Sequence, residues 1–199
     1  MTEPDLVHGA WTRQSASIGG GPRFETQRVV WLQAGTCYAD LRVPLHPAAD
    51  TRCFTGRSGW DGERYRWTHH LDLEGDAPAA DDVGDLGWED GALVERGMWP
   101  TGAVAVAYEE RWIPLPGPRM PYLALEAPGC SLVRVGDHAL TVTDRRPDGG
   151  PFSACYRVLD GGHWQIVAAI GEGASLPDPN SAPSRWSVVH RGLDDSVRA

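Results

Sequence analysis

Arg28-Val-Val-Trp-Leu-Gln-Ala-Gly-Thr-Cys-Tyr-Ala-Asp-Leu-Arg-Val43 decides the fold of this chain. It reads as two strands joined by Gly35-Thr36, a two-residue turn opening on glycine. That turn sets Ala34 opposite Cys37, Gln33 opposite Tyr38 and Trp31 opposite Asp40. Side chains alternate along a strand, and cross-strand partners share a face. One face therefore carries Val30, Leu32, Ala34, Cys37, Ala39, Leu41 and Val43, all apolar. The other carries Trp31, Gln33, Tyr38, Asp40 and Arg42. The apolar face has to be buried. The second face is either solvated, with an Asp40–Arg42 ion pair, or the wall of a pocket. In the pocket reading the aromatic rings supply contact area, Gln33, Tyr38 and Arg42 supply directed polar contacts, and the apolar face packs under a second layer or another subunit.

Similar alternation recurs outward from this hairpin. Short strands are expected at Ala10–Gln14, Thr51–Phe54, Arg64–Leu73, Gly91–Arg96, Ala103–Ile113, Tyr122–Glu126, Ser131–Val135, His138–Asp144, Ser153–Leu159, His163–Ile170 and Arg185–His190. Polar loops are expected at Glu74–Gly84 and Gly171–Pro183. Many short strands with turn signals between them mark a sandwich or barrel. Mostly local connections favour an up-and-down meander, and closing it removes exposed edges. The expected fold is all-β: an antiparallel, calycin-type (lipocalin-like) barrel, with a β-sandwich as the alternative. One barrel domain is expected over 1–199, with loosely ordered ends at 1–25 and 191–199. The Pro-rich segment 114–121 is the one candidate seam.

Composition narrows the function. The chain has 199 residues and a formal net charge of -9. That charge disfavours nucleic acid and anionic membrane surfaces, and no apolar run approaches the ~18 residues of a membrane span. All 18 basic residues are arginine. Schiff-base chemistry, PLP attachment and Walker-type phosphate binding all need a lysine. Cys37, Cys53, Cys130 and Cys155 are widely spaced and form no zinc motif. The amino terminus lacks the features of a signal peptide. These features lead us to expect a cytoplasmic protein with reduced thiols and no cofactor. No G-x-S-x-G elbow and no G-x-G-x-x-G after a strand occurs, and no two histidines stand at metal-ligand spacing.

Ionisable residues among bulky apolar ones are the informative positions, because burying a charge is costly without a partner or a purpose. His69 shares a face with Trp67 and Leu71. Glu110 shares one with Tyr108 and Trp112, and Glu95 one with Leu93. If these faces line a cavity, His69, Glu95 and Glu110 are the catalytic candidates. Trp31, Gln33, Tyr38, Asp40, Arg42, Trp67, Tyr108 and Trp112 are the ligand-binding ones. Desolvation would raise the carboxyl pKa and lower that of the imidazole. The structural alternative is a hydrogen-bonded core histidine and an edge salt bridge at Glu109-Glu110-Arg111. The nine tryptophans suit either ligand stacking or core filling.

Trp31-Leu-Gln33, Tyr38-Ala-Asp-Leu-Arg-Val-Pro44, Phe54-Thr-Gly56, Trp67 with His69 or His70 and Asp72, Asp85-Leu-Gly87, Glu95-Arg-Gly97 and Tyr108-Glu-Glu-Arg-Trp112 together resemble a bacterial family of calycin-like β-barrels of unknown function. The resemblance covers roughly residues 28–113. It implies a ligand inside the barrel and assigns no catalytic residue. Three functions follow as expectations. The first is a cofactor-independent acid/base enzyme (isomerase, cyclase, lyase or hydrolase) acting on a small, partly apolar molecule. The second is a non-catalytic carrier or haem binder using His69 or His138. The third is a module that forms a homodimer through its apolar sheet face.

Overall fold

The computed structural model describes residues 7–75, 81–101, 104–171, 178–180, 184 and 186–192. Eight strands run in chain order: β1 (Gly9–Ile18), β2 (Gln27–Ala34), β3 (Cys37–Pro44), β4 (Arg52–Trp60), β5 (Tyr65–Asp72), β6 (Asp82–Glu89), β7 (Ala92–Thr101) and β8 (Val104–Pro114). Each pairs antiparallel with the next, and β8 pairs back onto β1, closing an eight-stranded barrel. The chain therefore adopts the expected all-β, up-and-down barrel.

The barrel does not use the whole chain, as the single-domain reading expected. After the Pro-rich seam, β9 (Tyr122–Ala127), β10 (Cys130–Val135), β11 (His138–Asp144), β12 (Phe152–Asp160), β13 (His163–Ile170) and β14 (Ser187–Gly192) form a separate six-stranded sheet in the order β13-β12-β11-β10-β9-β14. A 3₁₀ turn at Arg146–Asp148 joins β11 to β12.

The 28–43 hairpin folds in the expected register, with Ala34 opposite Cys37 and Trp31 opposite Asp40. Gly35 takes φ +59°, a left-handed conformation natural to glycine in a tight turn. Its apolar face points outwards and is covered by the second sheet. Val30, Leu32, Ala34, Cys37, Ala39 and Leu41 share one buried cluster with Ala124, Val133, Val135, Leu140, Val142, Phe152 and Ala154. Each large aliphatic chain buried there contributes roughly 1.5–3 kcal/mol. The surface that the dimer reading offered to a second subunit is thus packed within the chain. The other face of the hairpin points into the barrel.

Three further differences have local causes. The amino-terminal stretch expected to be loosely ordered contributes β1, which is held on both edges by β2 and β8; residues 1–6 lie outside the described residues. β4 does not stop at Gly56 but continues to Trp60 through a bulge between Thr55 and Gly56. A Cβ at Gly56 would lie 1.8 Å from the carbonyl oxygen of Thr68, so the close approach of β5 requires glycine. β6 lies largely beyond the expected 74–84 loop, in a segment to which no strand was assigned. Its Asp-Val-Gly-Asp-Leu-Gly-Trp-Glu sequence has weak strand propensity and is held by six consecutive pairings with β7. Residues 76–80, Ala103, Arg185 and much of the 171–183 loop and the 191–199 tail lie outside the described residues.

Candidate functional site in the barrel cavity

Closing the barrel turns one side-chain parity inwards. Its lower end is plugged by aromatic rings. Trp11, Trp31, Trp67, Trp112 and Tyr65 pack in one buried cluster, with the Trp31 and Trp112 ring centroids 5.2 Å apart. Gln33 completes the plug. Its Oε1 accepts from Trp31 Nε1 at 3.2 Å and from Ser58 Oγ at 3.0 Å, and its Nε2 donates to the Gly35 carbonyl at 2.7 Å. Gln33, expected to touch ligand, instead spends its hydrogen-bonding capacity sealing this end.

The other end opens into a cavity of about 680 Å³ lined by Arg42, Phe54, His69, Glu95, Tyr108 and Glu110, together with Arg52, Asp72, Asp82, Met98 and Trp99. At its base is a chamber of about 30 Å³, bordered by Trp31, Tyr38, Asp40, Arg42, Phe54, Trp67, Asp82, Glu95 and Trp112. Arg42, Phe54, Asp82 and Glu95 border both spaces.

Two arginines organise the wall. Arg42 grips Asp40, Nε to Oδ1 at 2.9 Å, and its Nη1 lies 3.4 Å from Glu110 Oε1. The Asp40–Arg42 pair foreseen on the hairpin exists, but inside the barrel. Arg13 donates through Nη1 to the same Glu110 oxygen and through Nε to Glu25 at 2.8 Å. Burial pushes the Asp40 carboxyl up, and Arg42 pulls it part of the way back. Burying these charges is tolerable because each is paired.

Glu95 lies opposite Glu110 on the adjoining strand. Tyr108 Oη donates to Glu95 Oε1 at 2.7 Å, and Trp112 Nε1 to Oε2 at 3.2 Å. Gly97 makes the first bond possible, since a Cβ there would lie 2.5 Å from the Tyr108 hydroxyl. Burial, reinforced by the neighbouring Glu110, pushes the Glu95 pKa up to about 8. Among the described residues no arginine pairs directly with Glu95, and with its pKa raised by burial it is mostly a neutral acid at pH 7.

His69 departs from expectation. Burial lowers an imidazole pKa, but Nδ1 lies 2.9 Å from Asp72 and Nε2 3.0 Å from Asp82, and the two carboxylates raise it to about 9. The ring stacks on Phe54 with centroids 4.4 Å apart. His69 is therefore an imidazolium at neutral pH rather than a base, and both nitrogens are engaged. His138 lies on β11 outside the barrel, with its nitrogens on Tyr156 Oη and the Pro116 carbonyl. Neither histidine offers a free lone pair to haem iron. Among the described residues, no group of three or more His, Cys, Asp or Glu is placed to hold a metal ion.

The cavity thus gathers His69, Glu95, Glu110, Arg42 and Tyr108, and the chamber gathers Trp31, Tyr38, Asp40, Trp67 and Trp112. Sequence reading did not place Arg13 or Asp82 at the site, and it named Asp72 only within the family resemblance. Arg13 shares parity with Trp11, a signal that extending the alternation of β1 would have found. Asp82 had no such signal, because β6 was not assigned as a strand.

The sequence matches no known protein-family profile and no curated protein. The fold is similar to the crystal structure of an uncharacterized Saccharomyces cerevisiae protein, YLR301w. The TM-score is 0.71 at 14% identity, over 92% of this chain and 98% of that one. This likeness concerns the fold alone.

Proposed function

We propose that the barrel cavity binds a small, partly apolar molecule and performs cofactor-independent acid/base chemistry on it, with Glu95 as the proton donor. The observation that carries this reading is the unequal carboxyl pair. Glu110 is tied to Arg13 and Arg42, whereas Glu95 has no such partner and is pushed up to about 8. A carboxylic acid kept neutral by burial beside an arginine-paired neighbour at a cavity wall is a recurrent acid/base arrangement. Tyr108 and Trp112 position Glu95, and burial, reinforced by the neighbouring Glu110, keeps its pKa high. The His69 imidazolium, held between Asp72 and Asp82, supplies positive charge at the cavity wall. The reaction class is proton transfer to a substrate oxygen or carbon, as in an isomerase, cyclase, lyase or hydrolase. The resemblance to calycin-like barrels supports placing the ligand inside.

One observation favours a non-catalytic carrier: most polar groups of the wall already bond to one another, which suits holding a ligand more than transforming it. The test starts with native mass spectrometry of protein purified from its own host, to identify a retained molecule. That molecule is then followed over time by chromatography and mass spectrometry with wild type and Glu95→Gln. An enzyme converts it and loses roughly 10²–10⁴-fold in rate in the variant. A carrier leaves it unchanged in both, and that result overturns the catalytic reading.

A further inference from the structure

Tyr38 is 1% exposed, and its hydroxyl has no hydrogen-bonding partner among the described residues. A buried hydroxyl without a partner costs about 1–3 kcal/mol, so a native structure keeps one where something else completes it. The hydroxyl belongs to a side chain bordering the small chamber at the base of the cavity. Trp31, Phe54, Trp67 and Trp112 form the chamber's aromatic sides, and Glu95 borders it as a second donor in its neutral form.

Building on the cavity-binding reading above, we infer that this chamber receives the uncharged, oxygen-bearing end of the ligand, a ketone, ester or amide carbonyl that accepts a hydrogen bond from Tyr38. The charge distribution supports an uncharged end. Asp40 is already neutralised by Arg42, and Asp82 faces His69. No free counter-charge remains on the chamber wall for an ionic group, and desolvating an unpaired charge there would be costly. The aromatic sides suit a flat, apolar body behind the carbonyl. A chamber of about 30 Å³ has room for a carbonyl oxygen and its substituent carbon, or for one water in the free protein.

Three probes of similar size test this inference by equilibrium titration followed by NMR: acetophenone, α-methylstyrene (the same shape without the acceptor) and benzoate. The expected order of affinity is acetophenone, then α-methylstyrene, then benzoate, with a ketone preference of about fivefold from one net hydrogen bond. Tyr38→Phe breaks no hydrogen bond to another described residue; it should fold, abolish the ketone preference and leave α-methylstyrene binding unchanged. The infrared stretch of carbonyl-labelled acetophenone should fall on binding to wild type and fall less with the variant. Equal binding of ketone and olefin to wild type, an undiminished preference in Tyr38→Phe, or tightest binding of benzoate overturns the inference while leaving the cavity a binding site. Binding of none of the three, together with no retained molecule in native mass spectrometry, overturns the cavity reading as well.

Discussion

Glu95 on β7 and Glu110 on β8 are direct cross-strand partners, with both side chains turned into the barrel. Arginines hold Glu110, while burial, reinforced by the neighbouring Glu110, weakens the acidity of Glu95. Replacing Glu110 by Gln removes the adjoining negative charge, so the Glu95 midpoint should fall. Tyr108→Phe removes a hydrogen bond that favours the ionised form, so it should raise the midpoint. Both shifts are read by carbon-13 NMR of labelled glutamate; movement in the opposite directions contradicts the assignment of causes.

His69 sets the behaviour in alkali. Its folded pKa of about 9 lies above the ordinary imidazole value of 6.5, so its stabilising contribution is complete below pH 6.5 and is lost as pH rises through 9. The contribution is at most about 3 kcal/mol. Glu95, raised from 4.5 to about 8, acts in the same direction, because ionising it in the fold is unfavourable. The Tm should decline from pH 6 to 10. His69→Asn should be most destabilising near pH 6 and least near pH 10.

Arg42→Ala leaves Asp40 without its partner and deprives Glu110 of one of two. Breaking a buried pair costs roughly 3–5 kcal/mol, and urea denaturation should show a loss of that size. Replacement of the exposed Arg96, paired with Glu89 and Glu109 on the outer surface, should cost under about 1 kcal/mol.

Leu32→Asp places a carboxylate between the barrel and the second sheet, where Leu32 is fully buried. The expected outcome is a loss of at least about 3 kcal/mol in chemical denaturation. A fully stable variant would show that the two layers do not depend on this contact.

The hairpin that anchors both layers was legible because alternation and Gly35 fix register locally, and register fixes which side chains share a face. Which face turns inwards was not legible, because it depends on the second sheet covering Leu32 and Leu41. That sheet alternates much as barrel strands do. Only the proline-rich seam, where β8 ends at Pro114 and β9 begins at Tyr122, separates the two. The candidate residues His69, Glu95 and Glu110 were legible as charges among aromatics. The charge on His69 was not, because Asp82 reaches it from β6, whose glycines and aspartates conceal a strand that only pairing with β7 reveals.

The most direct measurement is the titration of Glu95 itself, by carbon-13 NMR of glutamate-labelled protein with Glu95→Gln assigning the signal. A midpoint near 8 is predicted, well above every surface glutamate. A midpoint near 4.5 would contradict the claim that the cavity wall holds a neutral carboxylic acid ready to donate its proton.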